Sequence, residues 1–283
     1  MSEQVSTAEL RIIWESAAPG WAKWESEFSR HLVAATEMLL DMASVAPDMR
    51  VLDLACGAGS QTMRAAKRVG DGGSVLACDI SEEMLKNLRR NAEQAGLNNI
   101  ETLRSAAEDL ASSEVPFDAA FSRLGLMLFA APQSALMAVR SMLKPGGRFA
   151  ALVFSTAESN PFQSEPMAIL MRHGKKPPPQ PGQPGLFALG GAGVLEGLLR
   201  HCGFADIKIA VTRASLGFAS ADDALTFLQQ AAGAYRAVIS DLSDDAKADA
   251  WAEVRECLGK YENETGFEAE IELVIGSGAN PGL

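Results

Sequence analysis

Between Arg50 and Phe154, short apolar runs alternate with stretches in which apolar residues recur every three or four positions. The runs are Arg50 to Asp53, Ser74 to Asp79, Ile100 to Arg104, Asp118 to Ser122 and Arg148 to Phe154. Such alternation predicts βαβ units and a parallel sheet. The clearest helix follows Asp79. Ser81 can cap it, Glu82 and Glu83 suit its positive end, Leu85, Leu88, Ala92 and Ala95 make an inner face, and Gly96 stops it. A second helix is expected to start at Pro132, bury Leu136, Val139 and Leu143, and end in the turn Lys144-Pro-Gly-Gly147.

The pattern changes in the C-terminal third. Asp206 to Arg213 alternates with Ile207, Ile209 and Val211 on one face, and Glu268 to Ile275 alternates with Ala269, Ile271, Leu273 and Ile275 opposed to glutamates. Half-solvated alternation suits an antiparallel edge pair. Helical spacing runs between them over Ser220 to Glu264. Thr7 to Ala43 reads as two amphipathic helices broken near Pro19-Gly20, and the proline-rich run at 175–185 reads as a loop, ordered over the active face or mobile. The expected architecture is α/β, a doubly wound Rossmann-like sheet of seven strands with the last two antiparallel. Its parts are N-terminal lid helices (1–45), a core (46–218) with an insertion (157–190), a helical cap (219–265), and a last edge strand with its tail (266–283).

Charge narrows the function. With a net charge of −11 and a pI near 4.9, the chain shows no basic stripe of the kind that binds a nucleic-acid backbone. No stretch approaches a membrane span, and the first ten residues lack the apolar core of a secretory signal. Cys56, Cys78, Cys202 and Cys257 stand far apart, so they read as reduced thiols of a cytoplasmic protein, and no metal site is expected. A homodimer is compatible with the sequence, which does not set the oligomeric state.

The chemistry concentrates in Val51-Leu-Asp-Leu-Ala-Cys-Gly-Ala-Gly-Ser-Gln-Thr62. A buried strand ends in Asp53, turns through Gly57 and Gly59 and enters a helix near Ser60. Glycines let backbone approach a ligand, and the helix start offers free N–H groups to an anion. Dinucleotides and S-adenosylmethionine (SAM) both use this arrangement. The dinucleotide fingerprint needs a third glycine where Thr62 stands. Asp53 suits the cationic end of a methionine moiety, and Asp79, closing the second strand, suits both ribose hydroxyls. The aspartate at that position would serve a nicotinamide dinucleotide equally.

With four further motifs in order, this run resembles the class I SAM-dependent methyltransferases of the ubiquinone/menaquinone-biosynthesis type and their small-molecule relatives. The other motifs are Ala77 to Leu85, Ala106-Ala-Glu-Asp-Leu110, Phe117 to Arg123 and Leu143 to Arg148; together they cover about residues 50 to 155. The resemblance implies the class I methyltransferase fold, SAM as cofactor and S-adenosylhomocysteine (SAH) as its product. It implies that Asp53, Gly57 and Gly59 line the methionine end, with Asp79 on the ribose, Ile80 on the adenine, and Ala55, Gln61 and Thr62 also in the cofactor site. Two positions depart from the pattern. Ala55 replaces the first glycine, and Ala106 replaces the acid that usually meets the adenine amino group, which leaves Ala107 and Glu108 for that task.

A methyl acceptor needs positioning more than acid–base help. His31 is the candidate base; its alternative reading is a surface or core-edge histidine. Arg123 could bind the SAM carboxylate or an anionic acceptor, or be a surface cation. Trp24, Phe28, Met127 and Phe129 are candidate acceptor walls, or else core. An apolar floor and lid suggest a small hydrophobic acceptor, methylated on O, N or C by in-line displacement. Two other readings remain: a SAM-binding member of the fold that catalyses a non-methylating step such as cyclisation, and a nicotinamide-dependent oxidoreductase.

Overall fold

The computed structural model describes residues 6–110, 115–177, 183–264 and 266–282. Five parallel strands, β1 (Arg50–Leu54), β2 (Ser74–Asp79), β3 (Ile100–Arg104), β4 (Phe117–Arg123) and β5 (Leu143–Phe154), alternate with α3 (Ser60–Val69), α4 (Glu82–Gln94) and α5 (Pro132–Met142). β6 (Ala205–Phe218) and β8 (Gly266–Ala279) close the sheet antiparallel, in the order β3-β2-β1-β4-β5-β8-β6. That is the expected seven-strand path. A two-residue strand, β7 (Glu262–Asn263), pairs with β8 beside it.

Because the strand order reverses between β1 and β4, the loops at their carboxyl ends diverge and leave a crevice there. The strands that frame it are apolar on both faces: Val51, Leu52, Ala119, Ala120, Phe121 and the run Phe149 to Val153 are wholly buried. Such strands demand helices on both sides.

The helical layer over the crevice comes from both ends of the chain. α1 (Thr7–His31) and α2 (Val33–Met42) precede the sheet; α8 (Ala221–Gln230), α9 (Gly233–Val238) and α10 (Asp244–Leu258) lie between β6 and β8. α6 (Pro161–His173) and α7 (Val194–His201) follow β5. Residues 178–182, the middle of the proline-rich run, lie outside the described residues.

Three local expectations are corrected. The break between the N-terminal helices falls at Leu32, and α1 runs through Pro19. Packing outweighs the proline: a Cβ on Gly20 would lie 2.0 Å from the Gln230 carbonyl oxygen, so the Pro19-Gly20 pair marks a close helix crossing with the end of α8 rather than a turn. Next to it Trp24 Nε1 donates to Gln230 Oε1 at 2.8 Å. The Lys144-Pro-Gly-Gly147 segment is a bulge inside β5, with a register shift opposite Phe117 and Ala119, so Leu143 belongs to the strand and not to α5. On β6 two residues of the apolar face are open: Ile209 and Val211 are 41% and 59% exposed.

Candidate active site

The floor of the crevice is the turn after β1. Ala55, Gly57 and Gly59 all have positive φ, at 54°, 56° and 95°. At Gly59 a Cβ would sit 1.7 Å from Leu88 Cδ1 of α4, so glycine is required by space as well as by φ. Ala55 is tolerated at a position that favours glycine because Gly125, after β4, leaves room for its methyl; a Cβ there would come within 2.5 Å of the Ala55 Cβ. The departure at the first glycine is thus absorbed by a second glycine across the crevice.

Two carboxylates close the first two strands. Asp79 is 8% exposed; its Oδ2 accepts the Gly57 N–H and its Oδ1 the Ser81 N–H, both at 2.9 Å. Burial pushes its pKa up to about 6 against those donors. Asp53 is wholly buried, and its Oδ2 accepts from Thr62 Oγ1 at 2.6 Å. Its Oδ1 has no partner among the described residues, and burial raises its pKa to about 7 although Thr62 and Arg123 oppose the shift. A buried carboxylate oxygen without a donor is costly unless something cationic or protic reaches it.

Arg123 ends β4. Its guanidinium donates to Ser60 Oγ at 2.6 Å, and to Ser29 Oγ and Thr36 Oγ1 at 3.2 Å each. Burial lowers its pKa, while Glu25 and Asp53 pull the other way. It is held by hydroxyls from both lid helices and from α3, not by a carboxylate within ion-pair distance among the described residues.

The roof is α1, held at three places. Thr7 Oγ1 donates to Glu108 Oε1 at 2.7 Å. Glu15 accepts from Glu82 N at 2.9 Å, Ser81 Oγ at 3.0 Å and Glu83 N at 3.3 Å. Burial would raise its pKa, but these donors and Arg104 outweigh it and the net shift is downward. Glu25, 7% exposed, accepts the Ser60 N–H at 2.8 Å. Glu15 and Glu25 therefore cover the N-termini of α4 and α3, where a negative charge is favoured.

Together these elements line a cavity with about 980 Å³ of empty space, part of it open to solvent. On the β2 and β3 side it is lined by Asp79, Ile80, Met84, Ser105, Ala107 and Glu108; on the β4 side by Arg123, Leu124, Leu128, Phe129 and Ala130. Leu10, Trp14, Trp21, Glu25 and Phe28 form the roof, over Ala55, Gly57 and Gln61. Of the residues singled out from sequence, Asp53, Gly59 and Thr62 are not among the lining residues; Asp53 and Thr62 are hydrogen-bonded to each other, and Gly59 follows the lining residues Gly57 and Ala58 in the turn.

Three further candidates are not among the lining residues. Trp24 packs edge-on against Phe218 and Phe227, at 6.1 Å to each ring. Met127 faces a second cavity beyond the loop after β4. His31 Nε2 accepts the Gly217 N–H of β6 at 3.3 Å, which matches its core-edge reading. The sequence reading missed Glu15 and Glu25. A signal existed for Glu25: Leu10, Trp14, Trp21, Glu25 and Phe28 recur at helical spacing, and a carboxylate interrupts an apolar stripe.

A Rossmann-like sheet in this order, with a glycine turn at the switch point and an acid ending β2, is the class I methyltransferase fold. Residues 46–175 match the family model described as a methyltransferase domain. The chain is 36% identical over 118 residues to a ubiquinone/menaquinone biosynthesis C-methyltransferase of Shewanella frigidimarina, a match covering 41% of this chain and 47% of that one. The chain thus matches about half the length of the curated relatives it resembles. Among solved structures, a [4+2]-cyclase, SpnF, superposes with a TM-score of 0.61 at 16% identity, covering 97% of both chains. A phosphoethanolamine N-methyltransferase 2 of Haemonchus contortus, solved with S-adenosylhomocysteine, gives 0.61 at 15% identity over 98% of this chain and 61% of its own. Residues 46–175 thus match a methyltransferase domain laid on this fold. The site fits S-adenosylmethionine: a glycine turn and the β2 acid Asp79 stand in the cavity wall, and beneath them Asp53 keeps a buried Oδ1 with no partner among the described residues.

Proposed function

We propose that this protein transfers a methyl group from SAM to a small, hydrophobic acceptor through an O-, N- or C-nucleophile. The observation that carries the reading is the single cavity wall in which the glycine turn and Asp79 meet the aromatic roof of α1. When bound, SAM supplies an activated methyl on a sulfonium. Asp79 would accept from the ribose hydroxyls, Ile80 and Ala107 would flank the adenine, and Glu108 would hold that loop to the lid through Thr7. Gly57, Gln61 and Asp53 would hold the methionine end, its ammonium relieving the unpartnered Asp53 oxygen. Arg123, already fixed by three hydroxyls, would face a carboxylate of the cofactor or an acidic acceptor. Trp21, Phe28, Leu128 and Phe129 would enclose the acceptor and exclude water, which orients a nucleophile without a dedicated base.

The likeness to a cyclase supports a second reading, in which the same pocket binds SAM but catalyses a non-methylating step. The net charge of −11 favours a small molecule over nucleic acid, and with no described helix long and apolar enough to cross a membrane, a cytoplasmic location fits. Calorimetric titration with SAM and SAH, followed by acceptor screening with methyl-labelled SAM, tests the proposal. Micromolar binding and a labelled product support methyl transfer. Binding with conversion of an acceptor but no label in it selects the second reading, and a folded protein that binds neither ligand refutes both.

A further inference from the structure

We infer that Glu25 makes the cavity refuse phosphorylated nucleotides, so that an adenosine ligand is accepted only when a group other than a diphosphate follows its ribose. The inference rests on the reading of the cavity as an adenosyl-cofactor site. In Rossmann-like sheets the acid that ends the second strand holds the ribose, and the N-terminus of the helix after the first strand receives the pyrophosphate. Both parts are present here and adjoin. Asp79 ends β2, and its Oδ2 accepts the N–H of Gly57, three residues before α3 begins at Ser60. Nothing in the glycine turn alone tells a diphosphate from a methionine chain.

The difference lies in what covers the α3 N-terminus. Glu25 Oε1 accepts the Ser60 N–H at 2.8 Å, and Glu25 lines the cavity where Ser60 does not. The carboxylate therefore holds the position that a phosphate oxygen would take on that N–H group. At 7% exposure its charge is weakly screened. The N-terminus of α4, beside Asp79, is closed in the same way: Glu15 accepts from Ser81 Oγ, Glu82 N and Glu83 N. Both acids come from α1. Among the described residues lining the cavity, Glu25, Asp79 and Glu108 bring carboxylates and Arg123 brings the one guanidinium. Arg123 is the group that could hold a phosphate, and Glu25 and Asp53 are the acids whose charges act on it. Without the Glu25 charge, Arg123 and the α3 N-terminus would make an anion site. With it, a diphosphate meets a buried like charge, whereas the zwitterionic end of a methionine chain brings no net charge.

The test is calorimetric titration of wild type, Glu25→Gln and Glu27→Gln with SAH, adenosine and adenosine diphosphate (ADP). The amide that replaces the Glu25 carboxylate can still accept from Ser60 N, so the contact survives while the charge goes. Glu27 lies on the same helix beside Arg30 and His31, outside the lining, and controls for loss of any charge from α1. Wild type is expected to bind adenosine at least about tenfold more tightly than ADP. Glu25→Gln should gain about tenfold for ADP and under about twofold for adenosine, and Glu27→Gln should leave both within about twofold. An ADP affinity unchanged in Glu25→Gln, or equal gains for ADP and adenosine, would overturn the inference. So would a wild type that binds ADP as tightly as adenosine. Should Glu25→Gln not fold, that wild-type ratio decides, and a preference for adenosine of about tenfold that Glu25→Asp retains upholds the inference. A folded wild type that binds neither SAH nor adenosine instead removes the SAM reading and the inference with it.

Discussion

The parallel half of the sheet and the helices laid across it meet at one cavity but arrive there by different means. On the sheet side each functional group sits where local backbone forces it. Gly59 has no room for a Cβ, Gly57 turns at positive φ, and Asp79 ends a strand whose next residues open a helix. On the lid side position depends on partners far away in sequence: Thr7 on Glu108, Glu15 on Ser81, Glu25 on Ser60, Gly20 on Gln230. The sheet side is thus fixed by local backbone, and α1 covers it through a few polar contacts. Removing a sheet group should abolish binding with the fold intact, whereas disturbing the lid should change stability and affinity together.

The largest effect is expected at Asp79. Replacing it with Ala removes the acceptor for two ribose hydroxyls, each worth about 1.5–3 kcal/mol as a charge-assisted bond. SAM affinity should fall at least about 100-fold. Circular dichroism and melting temperature should stay near wild type, since burial already disfavours this carboxylate. Unchanged affinity would refute the ribose assignment.

The pH dependence of binding probes the seat without mutation. Asp53 and Asp79 are raised to about 7 and about 6, above the ordinary carboxylate range. An acid raised by folding binds its proton more tightly in the native state. Stability of the free protein should therefore rise as pH falls from above 7 toward 4, through these two groups. A cationic ligand favours the ionised form, so SAM affinity should move the opposite way. With Asp53 near 7, about one molecule in ten carries it ionised at pH 6, and affinity should be about tenfold weaker there than at pH 8. Calorimetry in buffers of different ionisation enthalpy should register proton release near pH 6.5. A flat profile would mean that Asp53 does not meet the ammonium.

Gly20→Ala tests the lid. Its methyl would press on the Gln230 carbonyl at 2.0 Å, an overpacking of about 1–3 kcal/mol offset in part by the helix preference of alanine. A melting temperature lower by a few degrees is expected, together with weaker SAM binding. Lower stability with unchanged affinity would uncouple the lid from the seat.

The same contrast explains what could be read from the chain alone. β2 and β3 appear with the residue limits expected, Ser81 caps α4, and the glycine turn sits at the switch point, because period, capping and turn chemistry act over a few residues. Pro19 was misleading because its cost is offset by packing with α8, more than 200 residues away. For Trp24 and Met127 the sequence left acceptor wall and core both open, because helix rotation and loop path are set by tertiary packing, which turns them to Phe227 and to a second cavity. Glu25 was visible only as a polar break in an apolar stripe, which a surface helix would show as well.

The smallest effect is expected at His31, and it separates the two halves most sharply. Its spacing beside Phe28 and Leu32 makes it a candidate base, but its ring faces β6, where Nε2 accepts from Gly217 N at 3.3 Å, and Glu27 lies 3.7 Å away. A base must reach the proton it removes, directly or through one water. His31→Ala should therefore change turnover less than twofold on any acceptor, while losing about 1 kcal/mol of stability with the hydrogen bond to β6. Gly217 leaves little space beside that ring, since a Cβ there would meet its Cε1 at 3.0 Å, so His31 is fitted to the strand and not to the cavity. A tenfold drop in kcat, with KM for SAM unchanged and a lost limb in the pH–rate profile, would show that the lid turns His31 inward during catalysis, and would make the lid a chemical partner rather than a cover.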